Sequence, residues 1–295
     1  MFIVGIDGGG TSTKIELRTE DNVFIRRERL GAFNISAIGE ERFTARLHEI
    51  FAVCGDMADC AAMCFGSAGI SVGAAGDIIR RELASAGFHG KLTLRGDHEI
   101  ALRGAVSGAG GILIAGTGSI CCGTDERGRF ARVGGWGHII DDGGSGYAIG
   151  RDALALAVRG EDGRAPKGAM HEAVLRAVGA HDARGIVEFV YHGASKADIA
   201  ALSAEVLRLA ADGDAQSLAI LRRGAGELAE LVSALSAALS VARPRIALMG
   251  GLLADGGLYR TLVCEALGDS AAPVYPEHDA LWGAAQLAAD SMHAD

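Results

Sequence analysis

The sequence has little proline, no long apolar run and no excess of positive charge. Its 4 prolines and the lack of a three-residue period exclude a collagen-like fibre, although the chain holds 44 glycines. No run approaches the roughly 20 apolar residues that a membrane-spanning helix needs. The net charge of −9 argues against a nucleic-acid binder that relies on attraction to phosphate. We therefore expect neither a nucleic acid nor a membrane as a partner.

Cysteine and targeting patterns are also missing. The apolar run Phe2–Ile6 is too short for a signal peptide, and no basic segment precedes it. The cysteines form no C-x-x-C pair, and no histidine lies at zinc-finger spacing from them. They are Cys54, Cys60, Cys64, Cys121, Cys122 and Cys264. We therefore expect buried, reduced thiols in a cytoplasmic protein.

The chain does contain enough apolar residues for a core and about twice the usual share of glycine. A 49% hydrophobic content excludes a disordered chain, and 295 residues fit one large domain or two smaller ones. Glycine allows backbone amides to approach a ligand closely. The excess of glycine therefore indicates loops that hold a small anionic ligand.

Strand and helix patterns follow the same plan twice along the chain. Each half begins with a three-strand meander and continues with helix–strand units. In the second half, a helix-rich stretch from about Tyr147 to Ala242 interrupts this plan. The predicted meander strands are Phe2–Ile6, Thr13–Arg18 and Val23–Arg29 in the first half, and Gly111–Ala115, Ile120–Thr124 and Phe130–Val133 in the second. The repeat is one of architecture and predicts two related α/β domains.

The richest glycine stretch is Asp7-Gly8-Gly9-Gly10-Thr11. It lacks P-loop spacing, and the alternating residues after it predict a strand, whereas a dinucleotide fingerprint needs a helix there. In such a hairpin, the amides of Gly9 and Gly10 and the hydroxyl of Thr11 can contact phosphate, and Asp7 can hold Mg²⁺. Lys14 can reach a phosphate or remain a solvated charge. The alternative is a plain glycine turn with Asp7 as its turn former.

Two further glycine turns follow apolar strands. Gly116-Thr117-Gly118-Ser119 occupies the same point of the second half as Gly10-Thr11 does in the first. This match suggests that one phosphate chain is held from two sides, although two unrelated turns are the alternative. Gly250-Gly251 ends the predicted strand Arg245–Met249, and such a turn could admit an adenine against its backbone.

Asp97 follows the predicted strand Lys91–Arg95 and precedes a short helix. A carboxylate held there can accept the proton of a sugar hydroxyl that attacks a γ-phosphate. The alternative is a helix N-cap, a position that aspartate favours. The two interpretations are compatible, because a cap position fixes the side chain at the end of a strand.

The stretch from Gly134 to Gly146 places glycines on both sides of Trp136 and two carboxylates after it. An aromatic ring can pack against the apolar face of a sugar, while carboxylates accept bonds from its hydroxyls. Asp142 is the preferred acceptor and Asp141 the second choice. The alternative is a core tryptophan, followed by a loop that opens a helix.

Together these motifs resemble the sugar kinase, actin and heat-shock ATPase superfamily, over nearly the whole chain. More narrowly, Gly8–Thr11, Asp97, Gly116–Ser119 and the run from Trp136 to Ser145 are similar to signatures of the N-acetylglucosamine kinase branch, the BadF/BadG/BcrA/BcrD ATPase family. There is one departure: Asp141-Asp142-Gly143-Gly144 replaces the more usual Gly-Asp-Glu-Gly.

The resemblance implies roles for individual residues. Asp97 corresponds to the catalytic base, which also contacts the sugar, and Asp7 to the Mg²⁺ position. The implied ATP-binding residues are Gly9, Gly10, Thr11, Lys14, Thr117, Gly250 and Gly251. The implied sugar-binding residues are Asn34, Asp97, Gly118, Ser119, Trp136, Gly137 and Asp142.

The implied fold is α/β, with two ribonuclease H-like (actin-like ATPase) domains related by internal duplication and a cleft between them. We expect residues 1–107 plus 280–295 to form the first domain, and residues 108–279 the second, which carries a helical insertion. The last helix would return to the first domain. The resemblance also allows a homodimer.

The expected function is an ATP- and Mg²⁺-dependent kinase for the 6-hydroxyl of an amino-hexose, N-acetylglucosamine or glucosamine. One alternative is an ATPase of this wider family that activates a dehydratase or reductase through an iron–sulfur cluster, for which Cys60 and Cys64 are the candidate ligands. The other alternative is a non-catalytic regulator that binds ATP or a sugar. Retention of Asp7 and Asp97 argues against the regulator.

Overall fold

A computed structural model describes residues 1–70 and 74–293. The chain forms two compact units, the first made of residues 1–107 with 276–295 and the second of residues 108–275. Residues 71–73, 294 and 295, which the sequence assigns to the first domain, lie outside the described residues.

Unit 1 contains a five-stranded mixed sheet in the order β3-β2-β1-β4-β5. The strands β1 to β3 form an antiparallel meander, and β4 and β5 run parallel to β1. The strands are β1 Phe2–Gly8, β2 Ser12–Thr19, β3 Phe24–Gly31, β4 Cys60–Ser67 and β5 Lys91–Arg95. Strands β1 and β4 are mostly apolar because helices cover both of their faces.

Helices flank this sheet. They are α1 Ile35–Ile38, α2 Glu40–Cys54, α3 Ala75–Ser85, α4 Asp97–Ala105 and the last helix of the chain, α12 Ala280–Met292. Backbone bonds from Glu277 to Ala105 and from His278 to Gly104, of 3.0 and 2.8 Å, attach the segment before α12 to unit 1. The chain therefore returns to unit 1 a few residues earlier than the sequence suggested. Gly5 lets α12 approach β1, because a Cβ there would overlap the backbone of Ala285.

Unit 2 repeats this topology. Its sheet has the order β8-β7-β6-β9-β10, the same sequence of meander and parallel strands as in unit 1. The strands are β6 Gly110–Ala115, β7 Ser119–Thr124, β8 Phe130–Gly134, β9 Arg245–Met249 and β10 Ala272–Val274. The two mixed sheets with flanking helices confirm the expected α/β, actin-like ATPase fold.

The helix-rich stretch lies in unit 2. Its helices are α5 Gly146–Glu161, α6 Ala169–Val178, α7 Ala183–His192, α8 Lys196–Ala201, α9 Ser203–Ala211 and α10 Ala215–Leu239, followed after β9 by α11 Leu258–Leu267. The core packs apolar side chains of these helices, such as Leu228 and Leu235, against Leu113 and Cys121 of the sheet. Across residues 1–70 and 74–293, no helix combines the length and the hydropathy needed to span a bilayer.

One polar pair of β2 lies deep in unit 1. Glu16 and Arg18 have side chains that are 2% and 4% exposed, and they form an ion pair of 2.5 Å. Arg18 also donates to the backbone oxygen of Trp282 at 3.4 Å, so α12 covers this face of β2. Arg27 of β3 donates to the other carboxylate oxygen of Glu16 at 2.6 Å.

Candidate active site

In unit 1, the predicted site residues follow the carboxyl ends of adjacent parallel strands. The register pairs Gly8 of β1 with Ser67 of β4, and Gly66 of β4 with Arg95 of β5. The glycine hairpin, Ser67 and Asp97 therefore lie along one edge of the sheet, the edge at which α/β proteins commonly bind ligands.

The first glycine hairpin connects β1 to β2. A bond of 2.9 Å from Gly9 N to Ser12 O closes its turn, and Thr11 is exposed. Gly8 is needed for packing, because a Cβ there would lie 2.5 Å from the ring of Phe33. Gly10 has open space where a Cβ would lie, so packing within unit 1 does not require glycine at this position. This difference supports the view that Gly10 leaves room for a ligand.

Asp7 and Lys14 are paired opposite each other in β1 and β2. The Lys14 ammonium lies 3.3 Å from the Asp7 carboxylate. One carboxylate fits Mg²⁺, which is usually held by one or two protein carboxylates, water and substrate phosphates. Asp7 can hold the ion while Lys14 turns to a phosphate.

Asn34 lies at the same edge because hydrogen bonds hold its loop there. Phe33 N donates to Gly9 O at 2.9 Å, and Ser67 Oγ donates to Phe33 O at 3.3 Å. Asn34 caps α1 by accepting from Ser36 N, and its side-chain nitrogen is 3.5 Å from the oxygen of Ala68. The loop thus places a side-chain amide beside the end of β4.

Asp97 is the first residue of α4, and Gly96 is the N-cap. The cap interpretation of Asp97 was therefore wrong by one residue, and Glu99 instead accepts from Gly96 N at 2.7 Å. The Asp97 side chain is 58% exposed, so it is accessible to a ligand. Its carboxylate accepts from the ring of His98, at 3.4 Å, and from the backbone of His98, at 2.9 Å. These bonds, the ring bond first, lower the pKa of Asp97 below its ordinary value, which keeps it ionised at neutral pH.

In unit 2, the second and third glycine turns meet. Strands β6 and β9 are parallel neighbours, so Gly116–Gly118 and Gly250–Gly251 leave the same edge. They contribute to an open pocket of about 400 Å³. Its lining comprises Gly116, Thr117, Gly146, Ala197, Ala200, Ala201, Ser203, Gly251 and Leu252.

The glycines of these two turns differ in whether the structure would accept a side chain at their positions. Gly250 has a φ of +96°, and a Cβ there would overlap the backbone of Ala115. Gly251 and Gly116 both have open space where a Cβ would lie. Gly250 therefore shapes the turn, whereas Gly251 and Gly116 leave the pocket wall accessible.

Asp142 is buried beside the second hairpin. Its carboxylate is 4% exposed and accepts from Lys196 Nζ at 2.7 Å. Ser119 N lies 3.5 Å from its other oxygen, and a Cβ on Gly118 would come within 2.9 Å of the carboxylate. Asp142 thus contacts Gly118 and Ser119, the two residues of the hairpin that were predicted to bind sugar. In this conformation its carboxylate bonds to protein groups and is almost inaccessible to solvent.

Trp136 is 66% exposed, so the core interpretation of this residue is wrong. The guanidinium of Arg132 covers one face of the ring at 4.5 Å from its centre. The neighbouring Gly137 has a φ of +100°, and Asp141 accepts from Trp136 N at 3.0 Å. Asp141 therefore holds the loop that presents the ring.

Several residues of unit 2 that contact this region were missed by the sequence reasoning. They are Lys196, Ala200, Ala201, Glu227, Leu252 and Tyr259. The only local signal is the capping box of Ser195 and Asp198, which fixes the start of α8 and with it Lys196. Leu252 directly follows the Gly250-Gly251 turn, and the others lie on helices α8, α10 and α11, where no local pattern marks them.

Comparison with known proteins relates the chain to sugar kinases. The N-acetylmuramic acid/N-acetylglucosamine kinase of Clostridium acetobutylicum is 34% identical over 261 residues, which are 85% of each chain. The glucosamine kinase of Vibrio cholerae is 27% identical and spans 99% of this chain and 97% of its own.

A solved structure and a family model cover nearly the whole chain. A Chromobacterium violaceum protein, provisionally named an N-acetylglucosamine kinase, superposes with a TM-score of 0.76 at 27% identity over 97% of this chain and 98% of its own. The model of the BadF/BadG/BcrA/BcrD ATPase family matches residues 4–288. The chain therefore belongs to the BadF/BadG/BcrA/BcrD ATPase family.

Proposed function

We propose that this protein is an ATP-dependent kinase that phosphorylates the 6-hydroxyl of an amino-hexose, N-acetylglucosamine or glucosamine. The observation that carries this proposal is the accessible, ionised carboxylate of Asp97 at the sheet edge that also bears the Asp7–Thr11 hairpin. Relatives over most of the chain are named as kinases of amino sugars, which supports this substrate class.

ATP is proposed to bind the residues that the glycine turns expose. In unit 1 these are Gly9, Gly10, Thr11 and Lys14. In unit 2 they are Thr117 and Gly251, in a turn shaped by Gly250, together with the newly found Ala200, Ala201 and Leu252. Backbone amides and threonine hydroxyls suit phosphate oxygens, while small apolar side chains leave a flat surface for a base.

Mg²⁺ is proposed to bind at Asp7. When bound, the ion would neutralise charge on the transferred phosphoryl group. Lys14 supports this arrangement by supplying a second positive charge close to the same carboxylate.

The sugar is proposed to contact Asn34 and Asp97 of unit 1 and the loops of unit 2. Gly118, Ser119, Trp136 and Gly137 form the second group, and Asp142 joins it through its contacts with Gly118 and Ser119. The open face of the Trp136 ring suits the apolar face of a hexose.

In the proposed reaction, the oxygen of the 6-hydroxyl attacks the γ-phosphorus. The bond from this phosphorus to the bridging oxygen breaks, and ADP leaves with the electron pair. Asp97 takes the hydroxyl proton. Because its pKa is lowered, Asp97 is ionised at neutral pH but is a weak base. Orienting the hydroxyl is therefore a large part of its contribution.

The iron–sulfur alternative does not fit the cysteines. Cys60 and Cys64 are buried in β4, and burial raises the pKa of both thiols to about 12, which disfavours the thiolate that a cluster needs. Within the described part of the chain, no three side chains of histidine, cysteine, aspartate or glutamate are grouped to hold a metal.

The test is ADP release with Mg²⁺-ATP over a panel of glucosamine, N-acetylglucosamine, N-acetylmannosamine, N-acetylmuramate and glucose. We expect one amino-hexose to stimulate release, and phosphorus–proton NMR of the product to locate the phosphate on O6. ADP release that ignores every sugar would overturn the proposal. A phosphate found on another hydroxyl would keep the kinase and correct its position.

A further inference from the structure

Position 143 is one of two positions, with position 141, at which this chain departs from the Gly-Asp-Glu-Gly pattern that it otherwise resembles. Gly143 carries no side chain, and a Cβ there would lie 3.2 Å from both the Cβ and a carboxylate oxygen of Glu227. Glu227 belongs to α10, which passes beside this loop. The Glu227 carboxylate therefore lies beside the space that a side chain at position 143 would enter.

Glu227 holds the next peptide of the loop. Its carboxylate accepts from Gly144 N at 2.8 Å, while Tyr259 of α11 donates to Gly144 O at 2.7 Å. Gly144 has a φ of +70°, and a Cβ there would overlap the backbone of Gly224. Two helices therefore fix both polar groups of a residue that has little freedom to be replaced.

The peptide fixed by Glu227 leads directly into the start of α5. Ser145 caps this helix, and Gly146 N donates to Gly116 O at 2.8 Å. On the other side of Gly144, Ser119 Oγ donates to Gly143 O at 2.7 Å. Displacement of Gly144 would therefore disturb the hydrogen bonds that Gly116 and Ser119, at the two ends of the second hairpin, make with this turn.

We propose that Glu227 is a positioning residue, which replaces from α10 the carboxylate missing at position 143 and so holds the 142–146 turn against the Gly116–Ser119 hairpin. This inference rests on the proposed function for its kinetic consequence. Its structural part, the ordering of the turn, stands independently of the substrate.

The experiment moves the carboxylate between the two positions. Glu227→Ala removes it, Glu227→Gln keeps an oxygen that can accept from Gly144 N, and Gly143→Glu with Glu227→Ala returns it to residue 143. Gly143 lies outside the left-handed region, so its backbone accepts glutamate. Glu230→Ala, an exposed carboxylate three residues later on the same helix, is the matched control.

We expect Glu227→Ala to lower kcat/KM for the amino sugar on the order of 10²-fold, as a misplaced binding loop does. The Gln variant should stay within about threefold of the parent, because the acceptor oxygen remains. The double variant should have a kcat/KM at least about tenfold higher than that of Glu227→Ala. Gly143→Glu alone should have a lowered kcat/KM, because its side chain meets Glu227.

A second readout is amide hydrogen exchange over residues 142–148. Exchange should rise in Glu227→Ala and return to the parent level in the Gln and double variants. Unchanged exchange in Glu227→Ala, or a double variant no better than the single one, would overturn the inference. If the parent protein phosphorylates no sugar but the variants still show the expected exchange pattern, the proposed function is overturned and the positioning role of Glu227 remains.

Discussion

At the scale of single residues, Asp97 carries the clearest prediction. Asp97→Asn keeps the size of the side chain and removes the proton acceptor. We expect sugar-dependent ADP release to fall by at least about 10²-fold while an ATP analogue still binds, because a general base contributes about 10²–10⁴-fold. Asp77→Asn, an exposed carboxylate on α3, is the control and should match the parent. Loss of nucleotide binding in Asp97→Asn would count against the assignment.

His98 sets the titration of Asp97. The folded pKa of Asp97 lies below its ordinary value of 3.8, mainly because the His98 ring bonds to its carboxylate. The associated stabilisation is thus present above the ordinary value and is lost as pH falls through the folded pKa. We expect His98→Ala to move the titration midpoint upward, toward 3.8, as measured by carbon NMR of the aspartate carboxyls. An unchanged midpoint would remove His98 as the cause.

At the scale of elements, the turn after β9 contains two neighbouring glycines with different roles, Gly250 for the fold and Gly251 for the proposed ATP site. Gly250→Ala should destabilise the fold by at least about 1–3 kcal/mol, because its backbone conformation excludes a side chain and the Cβ meets Ala115. Gly251→Ala should leave the free energy of unfolding nearly unchanged and weaken ATP binding. Urea unfolding and nucleotide titration of both variants test this pair. Equal destabilisation of the two would contradict it.

The strands and turns themselves could be predicted from the sequence. Apolar runs and period-two alternation report burial within a few residues, so the meanders of both halves were located correctly. The first residue of α4 was displaced by one, because Gly96 and Asp97 both favour a helix start and local sequence does not choose between them. The contact of Lys196 with Asp142 spans 54 residues and left no pattern in the sequence.

At the scale of the whole molecule, the last helix determines the environment of the first strands. Glu16 and Arg18 alternate with apolar residues along β2 and so share one face of the strand, and α12 covers that face and buries both. Each of these buried charges has a partner, whereas a buried unpaired charge would be costly.

This arrangement predicts an order of stability. Glu16→Leu should cost about 3–5 kcal/mol, because it leaves Arg18 buried without a carboxylate. Arg18→Met should cost less, since Arg27 remains bonded to Glu16 at 2.6 Å. The free energy of unfolding in urea measures both variants, with the exposed Glu28→Gln of β3 as the control. The reverse order would show that Arg27 does not compensate.

The sequence by itself determined the two-fold repeat of architecture, the glycine turns at strand ends and the carboxylates that follow strands. These features depend on neighbours along the chain, so their pattern is visible in the residues. The tertiary structure alone decided that Asp142 is buried beside Lys196 and that Glu16 is buried under α12. It also decided the hydrogen bond from Gly144 to Glu227, which are 83 residues apart. Such contacts depend on the path of the whole chain, because packing brings together residues that share no local pattern.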